Sequence, residues 1–234
     1  MTSLEPADAQ PPRKRRTAEA RREEFIRKAT EFFAEEGFGG GTRELAAKLG
    51  VTQPLLYRYF PNKEELVQAV YRHVFLDRWK PEWETLLDDR ALPLRRRLQS
   101  FYEAYTDAIF ERAWLRIYFY AGLKGVEINR WYISLVETRV LNRIFAEFRH
   151  EAGLPPRDPP SPAEVELAWV LHGGVFYYGV RKFIYELPVE QDKSGMIADA
   201  LDVFLAGLAA VYGAKAGPTG AARVPSPRSS WGEG

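Results

Sequence analysis

Two helix-forming runs, each too short to stand alone, lie between Gly37 and Lys63 in the stretch GFGGGTRELAAKLGVTQPLLYRYFPNK. The first turn of a helix costs more free energy than it returns, so runs of this length are unstable in isolation. The surrounding chain must supply a frame. Thr42 is expected to cap the first run, its hydroxyl meeting free N–H groups at the helix start. Leu45, Ala46 and Leu49 give that run a narrow apolar stripe. Gly50 follows, where a helix stops and a residue tolerating φ > 0 is favoured. Thr52 is expected to cap the second run, with Pro54 just inside it, where a missing N–H costs little. Leu56, Tyr59 and Phe60 form its apolar face, and Pro61 ends it.

The frame is legible on both sides. Phe25, Ile26, Ala29, Phe32 and Phe33 recur at helical spacing, predicting a helix from about Thr17 to Glu36 that Gly37 ends. Asn62 is a good cap for a fourth helix, with Glu64 and Glu65 facing its positive dipole end. Leu66, Val70, Val74 and Phe75 carry its apolar face to about Trp79, and Pro81 marks a break. Ala46, Gly50 and Leu56 stand at the tight-packing, turn and core positions of a helix-turn-helix.

The span Arg22 to Val70 resembles the DNA-binding domain of the Tet repressor family. The matching segments are EEFIRKATEFFAEEGF, TRELAAKLGV and QPLLYRYFPNKEELVQAV, with Tyr57, Tyr59-Phe60 and Asn62-Lys63 where the family carries its signature. The link Gly39-Gly40-Gly41 departs from the pattern, being about one residue shorter than usual. The rest of the chain is similar to the family only in helical layout. The resemblance implies that Tyr57 and Lys63 contact the DNA backbone, and that the later helices enclose a small-molecule cavity.

On the second short helix, Gln53 to Tyr59, Gln53 is a candidate for pairing with adenine, and Arg58 for guanine or phosphate. Thr42, Arg43, Thr52, Tyr57 and Lys63 can donate to phosphate oxygens. Leu55, beside Pro54 on this surface, offers apolar contact to a thymine methyl or a sugar. Twelve Lys/Arg against seven Asp/Glu between Arg13 and Lys63 concentrate positive charge here, in a chain whose net charge is only +1. Such an asymmetry is the footprint of a nucleic-acid partner. Arg13 to Arg16 is either a solvated charge run or a basic arm on phosphates or in the minor groove.

Beyond Pro81 the chain reads as further helices. Pro93 opens one bearing Leu94, Leu98, Phe101, Tyr105 and Ile109, reaching about Glu111; Trp114 to Leu123 is another. Ile128 to Ala152 is a long one, with Ile133, Val136, Val140, Ile144 and Phe148 at helical spacing. Ser161 to Glu164 is a capping box opening a helix toward Leu187, and a last helix runs from about Glu190 to Tyr212. No strand pattern appears. The fold class is therefore all-α: an N-terminal three-helix helix-turn-helix domain and a larger C-terminal helical ligand-binding and dimerisation domain. The divisions are a disordered arm at 1–16, the DNA-binding domain at 17–63, the ligand and dimer domain at 64–213, and a disordered tail at 214–234.

Trp114, Tyr118, Trp131, Trp169, His172 and Phe176 are candidates for lining an effector cavity, in a region that also holds Phe119, Tyr132 and Tyr177. The next-to-last helix is apolar on nearly all faces, and the last mixes large apolar residues with Ala206, Gly207, Ala209 and Ala210. Both need more cover than one chain supplies, which predicts a homodimer through these two helices. There is no cysteine, and the three histidines have no carboxylates at ligand spacing, so neither a metal nor another cofactor is expected. Uncharged runs are shorter than the roughly 20 residues of a bilayer span, and the N-terminus is not a signal peptide. No nucleophile–base pair or phosphate loop points to an enzyme. The expectation is a cytoplasmic homodimer that represses transcription on a palindromic double-stranded DNA site and is released by a small, apolar or aromatic effector. The alternative is a ligand-independent or activating DNA-binder.

Overall fold

The computed structural model describes residues 17–125 and 127–213. The basic arm at Arg13–Arg16 and the tail from 214 lie outside the described residues. The chain divides into two compact units that meet at His73–Val74.

In the N-terminal unit, α1 (Ala18–Glu36) is capped by Thr17, whose hydroxyl accepts from the Ala20 amide, and it closes at Gly37. Its Phe25, Ile26, Ala29, Phe32 and Phe33 form the floor on which α2 (Thr42–Lys48), α3 (Gln53–Tyr57) and α4 (Lys63–Tyr71) are held. Leu45, Ala46, Leu49, Leu56, Phe60, Leu66 and Val70 are all buried in this core. Burying one such large apolar side chain stabilises by about 1.5–3 kcal/mol, which is how two helices of seven and five residues persist. Gly50 turns the chain at φ 67°. Thr52 caps α3 and Asn62 caps α4 through their side chains.

One cap differs from expectation. Gly41, without a side-chain bond, caps α2, and Thr42 is its first helical residue, leaving the hydroxyl to bond elsewhere. The preceding glycine link also has a steric reason. A Cβ on Gly40 would lie 2.7 Å from the Phe32 ring, so the backbone passes only because no side chain is there.

In the C-terminal unit the helix expected to reach Trp79 changes character. After α4 comes a π-helical turn, Arg72–Leu76. A further helix, α5 (Glu82–Asp88), was not foreseen; it buries only Trp83 and Leu87, too few positions to show a period. Then follow α6 (Leu94–Ile109), α7 (Arg112–Leu123), α8 (Glu127–Val136), α9 (Asn142–Glu151), α10 (Pro162–Phe183) and α11 (Lys193–Tyr212). Between α8 and α9 a second π turn, Glu137–Leu141, interrupts what reads in the sequence as one helix. Val136, Val140, Ile144 and Phe148 are spaced by four, and each step overshoots an α-helical face by about 40°. The extra residue of a π turn absorbs that drift. The capping box of Ser161 and Glu164 opens α10, and Asp192 caps α11.

Charged side chains tie these helices together. Arg97, only 1% exposed, donates to the Glu147 carboxylate at 2.8 Å and to the Leu87 carbonyl, and Arg90 grips the same carboxylate. Arg95 holds Asp202 with two bonds, of 2.8 and 3.1 Å, fixing α11 to α6. Among the described residues there is no strand.

Candidate nucleic-acid interface and effector site

The turn between α2 and α3 brings three of the candidate DNA-contacting side chains together. Thr42 Oγ1 and Tyr57 Oη lie 3.0 Å apart, and Gln53 Nε2 donates to Thr42 Oγ1 at 3.0 Å and to Tyr57 Oη at 3.4 Å. Tyr57 is exposed, and the bonds from Thr42 and then Gln53 hold its phenol below the usual tyrosine range. Side chains this ordered lose less rotamer freedom on meeting a partner. Arg43, Thr52, Pro54 and Arg58 are exposed around the triad, and Leu55 is half-buried. Tyr59 instead turns inward, edge-on to Phe25 at 5.1 Å.

Lys63 has a role that the sequence did not suggest. Its ammonium donates to the carbonyls of Phe38 and Gly40, each at 2.7 Å, and so closes over the glycine link. One of its three N–H donors remains for a phosphate. Gln53 is likewise engaged: with Nε2 committed to Thr42 and Tyr57, bidentate pairing with adenine requires it to leave at least one of them.

The family described as bacterial regulatory proteins, tetR family, matches residues 25–70, which hold most of α1, all of α2 and α3 and nearly all of α4. Residues 25–70 of the chain belong to this family. The HTH-type transcriptional repressor KstR2 of Mycobacterium tuberculosis is 36% identical over 91 residues, 38% of this chain and 44% of that protein. The tetracycline repressor protein class C of Escherichia coli is 35% identical over 88 residues, 34% of this chain and 40% of that protein. The chain thus matches less than half the length of these curated relatives. Solved structures extend the likeness in fold across both units. A TetR-like transcriptional regulator from Rhodococcus sp. RHA1 has a TM-score of 0.64 at 18% identity, covering 83% of this chain and 99% of that one. SmeT, the repressor of the Stenotrophomonas maltophilia multidrug efflux pump SmeDEF, has a TM-score of 0.57 at 20% identity, covering 80% and 89%.

In the C-terminal unit the expected effector residues fall into two linked groups. Trp114 stacks on Tyr118 at 5.3 Å, and Phe176 lies 5.2 Å from Tyr118. Phe75, from the first π turn, and Tyr132 complete the group, and the Trp114 indole donates to the Val74 carbonyl at 3.0 Å. His172 belongs to the second group, with Trp169 at 5.5 Å, Tyr105 at 5.5 Å and Tyr102 at 6.0 Å. The hydroxyls of Tyr105 and Tyr132 join the two groups at 2.9 Å.

Trp131 is a correction. It is 44% exposed and makes no ring contact among the described residues, because Tyr132, one position on, occupies the inward face of α8. Tyr102 and Tyr105 join the second group without having been among the expected effector residues. Their signal was present, since both lie on the inward stripe of α6 with Leu98, Phe101 and Ile109. Among the described residues no cluster of His, Cys, Asp or Glu could hold a metal ion.

The helices α10 and α11 leave an apolar surface uncovered. Val170, Tyr177, Val203 and Val211 are each more than half exposed, and a Cβ added at Gly173, Gly174 or Gly207 would meet nothing within 4 Å. With 20 residues, α11 is also long and apolar enough by composition to cross a bilayer, which the count of uncharged runs did not show. Within that length it carries Asp199 and Asp202, the latter paired with Arg95.

Proposed function

We propose that the chain is a cytoplasmic, homodimeric transcriptional regulator that represses by binding double-stranded DNA and is released by a small effector. The observation that carries the reading is the ordered Thr42–Gln53–Tyr57 triad, set at the exposed end of a tetR-family helix-turn-helix. On DNA, α3 lies in the major groove, Gln53 and Arg58 address base edges, and Thr42, Arg43, Thr52, Tyr57 and the spare N–H of Lys63 hold phosphates. Pro54 and Leu55 supply apolar contact.

The uncovered face of α10 and α11 fits a second copy of the chain, whose open glycines allow close helix approach. A two-fold dimer places two α3 helices about 34–36 Å apart, one turn of DNA, and so selects a palindrome. The effector enters the aromatic groups. There it displaces Phe75, whose π turn continues α4 from Lys63, and so alters the spacing of the two α3 helices. To switch from mostly bound to mostly free, the effector must favour the released state by about 5 kcal/mol. Titration of the purified protein against its own upstream DNA, at several salt concentrations, tests the reading. Retention that weakens as salt rises supports it; absence of retention overturns it. Footprints unchanged by cell extract would favour the ligand-independent alternative.

A further inference from the structure

Among the buried side-chain polar atoms of the C-terminal unit that lack a hydrogen-bond partner, two belong to neighbouring rings. Tyr102 on α6 is fully buried with its hydroxyl unpaired, and His172 on α10, 7% exposed, is unpaired at Nδ1. Leaving either group so costs about 1–3 kcal/mol. The neighbouring tyrosines show that this core can pair its hydroxyls, since Tyr105 and Tyr132 bond each other.

Their chemistry narrows what could complete them. Burial holds the imidazole at a pKa of about 4, so it is neutral near pH 7, with a lone pair on one ring nitrogen. A tyrosine hydroxyl donates. In the Nε2–H tautomer, one oxygen that accepts from Tyr102 and donates to Nδ1 of His172 satisfies both, and that describes a hydroxyl rather than a ketone, an ether or an ammonium. The buried Arg97 is already neutralised by Glu147 and so offers an anion no net positive charge. The surrounding rings from Phe75 to Phe176 already touch at 5.2–6.5 Å, so a further flat ring enters by displacing one of them and takes over its aromatic contacts. The half-buried Tyr118 and Phe176, with Phe119 at 36% exposure, mark the side open to entry.

We propose that Tyr102 and His172 form the polar end of a site for an uncharged, flat aromatic alcohol of the phenol class. The proposal rests on the reading of the C-terminal unit as effector-binding and names the chemistry of that effector.

Calorimetric titration of the full-length protein with naphthol, naphthalene and naphthoate tests it. Naphthol is expected to bind about tenfold tighter than naphthalene, the worth of a buried hydrogen bond, with naphthoate weaker than both. Tyr102→Phe should abolish the advantage of naphthol and leave naphthalene unchanged; His172→Phe should do the same by a second route. Equal binding of naphthol and naphthalene, preference for naphthoate, retention of the advantage in Tyr102→Phe, or no binding at all would each overturn the proposal. A parallel DNA-retention assay separates the two readings. Discriminating binding of naphthol without DNA release would sink effector release alone, whereas release by other compounds without discrimination would sink only the phenol site.

Discussion

Lys63 donates from Nζ to the carbonyl oxygen of Gly40 at 2.7 Å, so the first residue of α4 fastens the link that precedes α2. The same ammonium reaches the Phe38 carbonyl. Lys63→Met removes both bonds and is expected to cost about 1–3 kcal/mol, after allowance for partial exposure. Urea unfolding of the variant measures this directly. If a phosphate also uses the third N–H, the salt slope of DNA binding falls by about one.

Gln53 and Tyr57 predict different failures on DNA. Tyr57→Ala should weaken binding on every sequence, because a phosphate contact and the ordering of its neighbours are both lost. Gln53→Ala should mainly relax base preference, by about 1–3 kcal/mol at one position of the site. Binding curves on a selected operator and on single-mismatch copies distinguish them. Identical behaviour of the two variants would remove α3 from the recognition role.

Glu147 accepts from Arg97 and Arg90 while only 5% exposed. Burial pushes its carboxyl up, but the bonds from the two arginines outweigh this and hold it below the usual range. Its stabilising effect is therefore present above the ordinary carboxylate pKa and is lost as pH falls through the depressed one. Glu147→Leu leaves Arg97 buried without its carboxylate and should cost about 3–5 kcal/mol. Arg90→Ala, removing the more exposed partner, should cost far less. Thermal melts of the two variants rank them.

His172 predicts a second pH effect of known sign. Burial lowers its pKa from 6.5 to about 4, against the uncharged rings of Tyr102, Tyr105 and Trp169. The unfolded chain takes up the proton first, so stability declines as pH falls from 6.5 toward 4 and the contribution levels off below that. At about 1.4 kcal/mol per pKa unit the full effect is roughly 3 kcal/mol. His172→Phe should flatten this part of the stability–pH curve, while the carboxylate contribution at lower pH persists.

Val203 is 75% exposed on α11. If α10 and α11 meet a second copy, Val203→Asp buries a charge at the interface and should produce monomers in light scattering at micromolar concentration. It should also weaken DNA binding with α3 untouched. An unchanged dimer would place the interface elsewhere.

How much of this was legible depended on how local each cause is. The caps at Thr52, Asn62 and Ser161–Glu164 were read correctly because a capping side chain acts within three residues of itself. Both π turns were missed as such, although the spacing of Val136, Val140, Ile144 and Phe148 contains the drift that one of them absorbs. α5 is too short to carry a period. Tyr132 was legible in preference to Trp131, since it stands four residues before Val136 on the stripe that continues to Val140. The internal bonds of Lys63 were invisible because their acceptors are backbone carbonyls 25 and 23 residues away.

The bond from Trp114 to Val74 gives the molecule a built-in optical gauge. Indole emission shifts with the polarity around the ring and dims when neighbouring groups quench it. Trp114 is buried, hydrogen-bonded to the turn that continues α4, and in contact with Tyr118 and Phe176. Whatever enters among those rings or unwinds that turn must alter its colour or brightness. With the other five tryptophans replaced by phenylalanine, a single cuvette would follow the arrival of a small molecule and the response of the helix in the same signal.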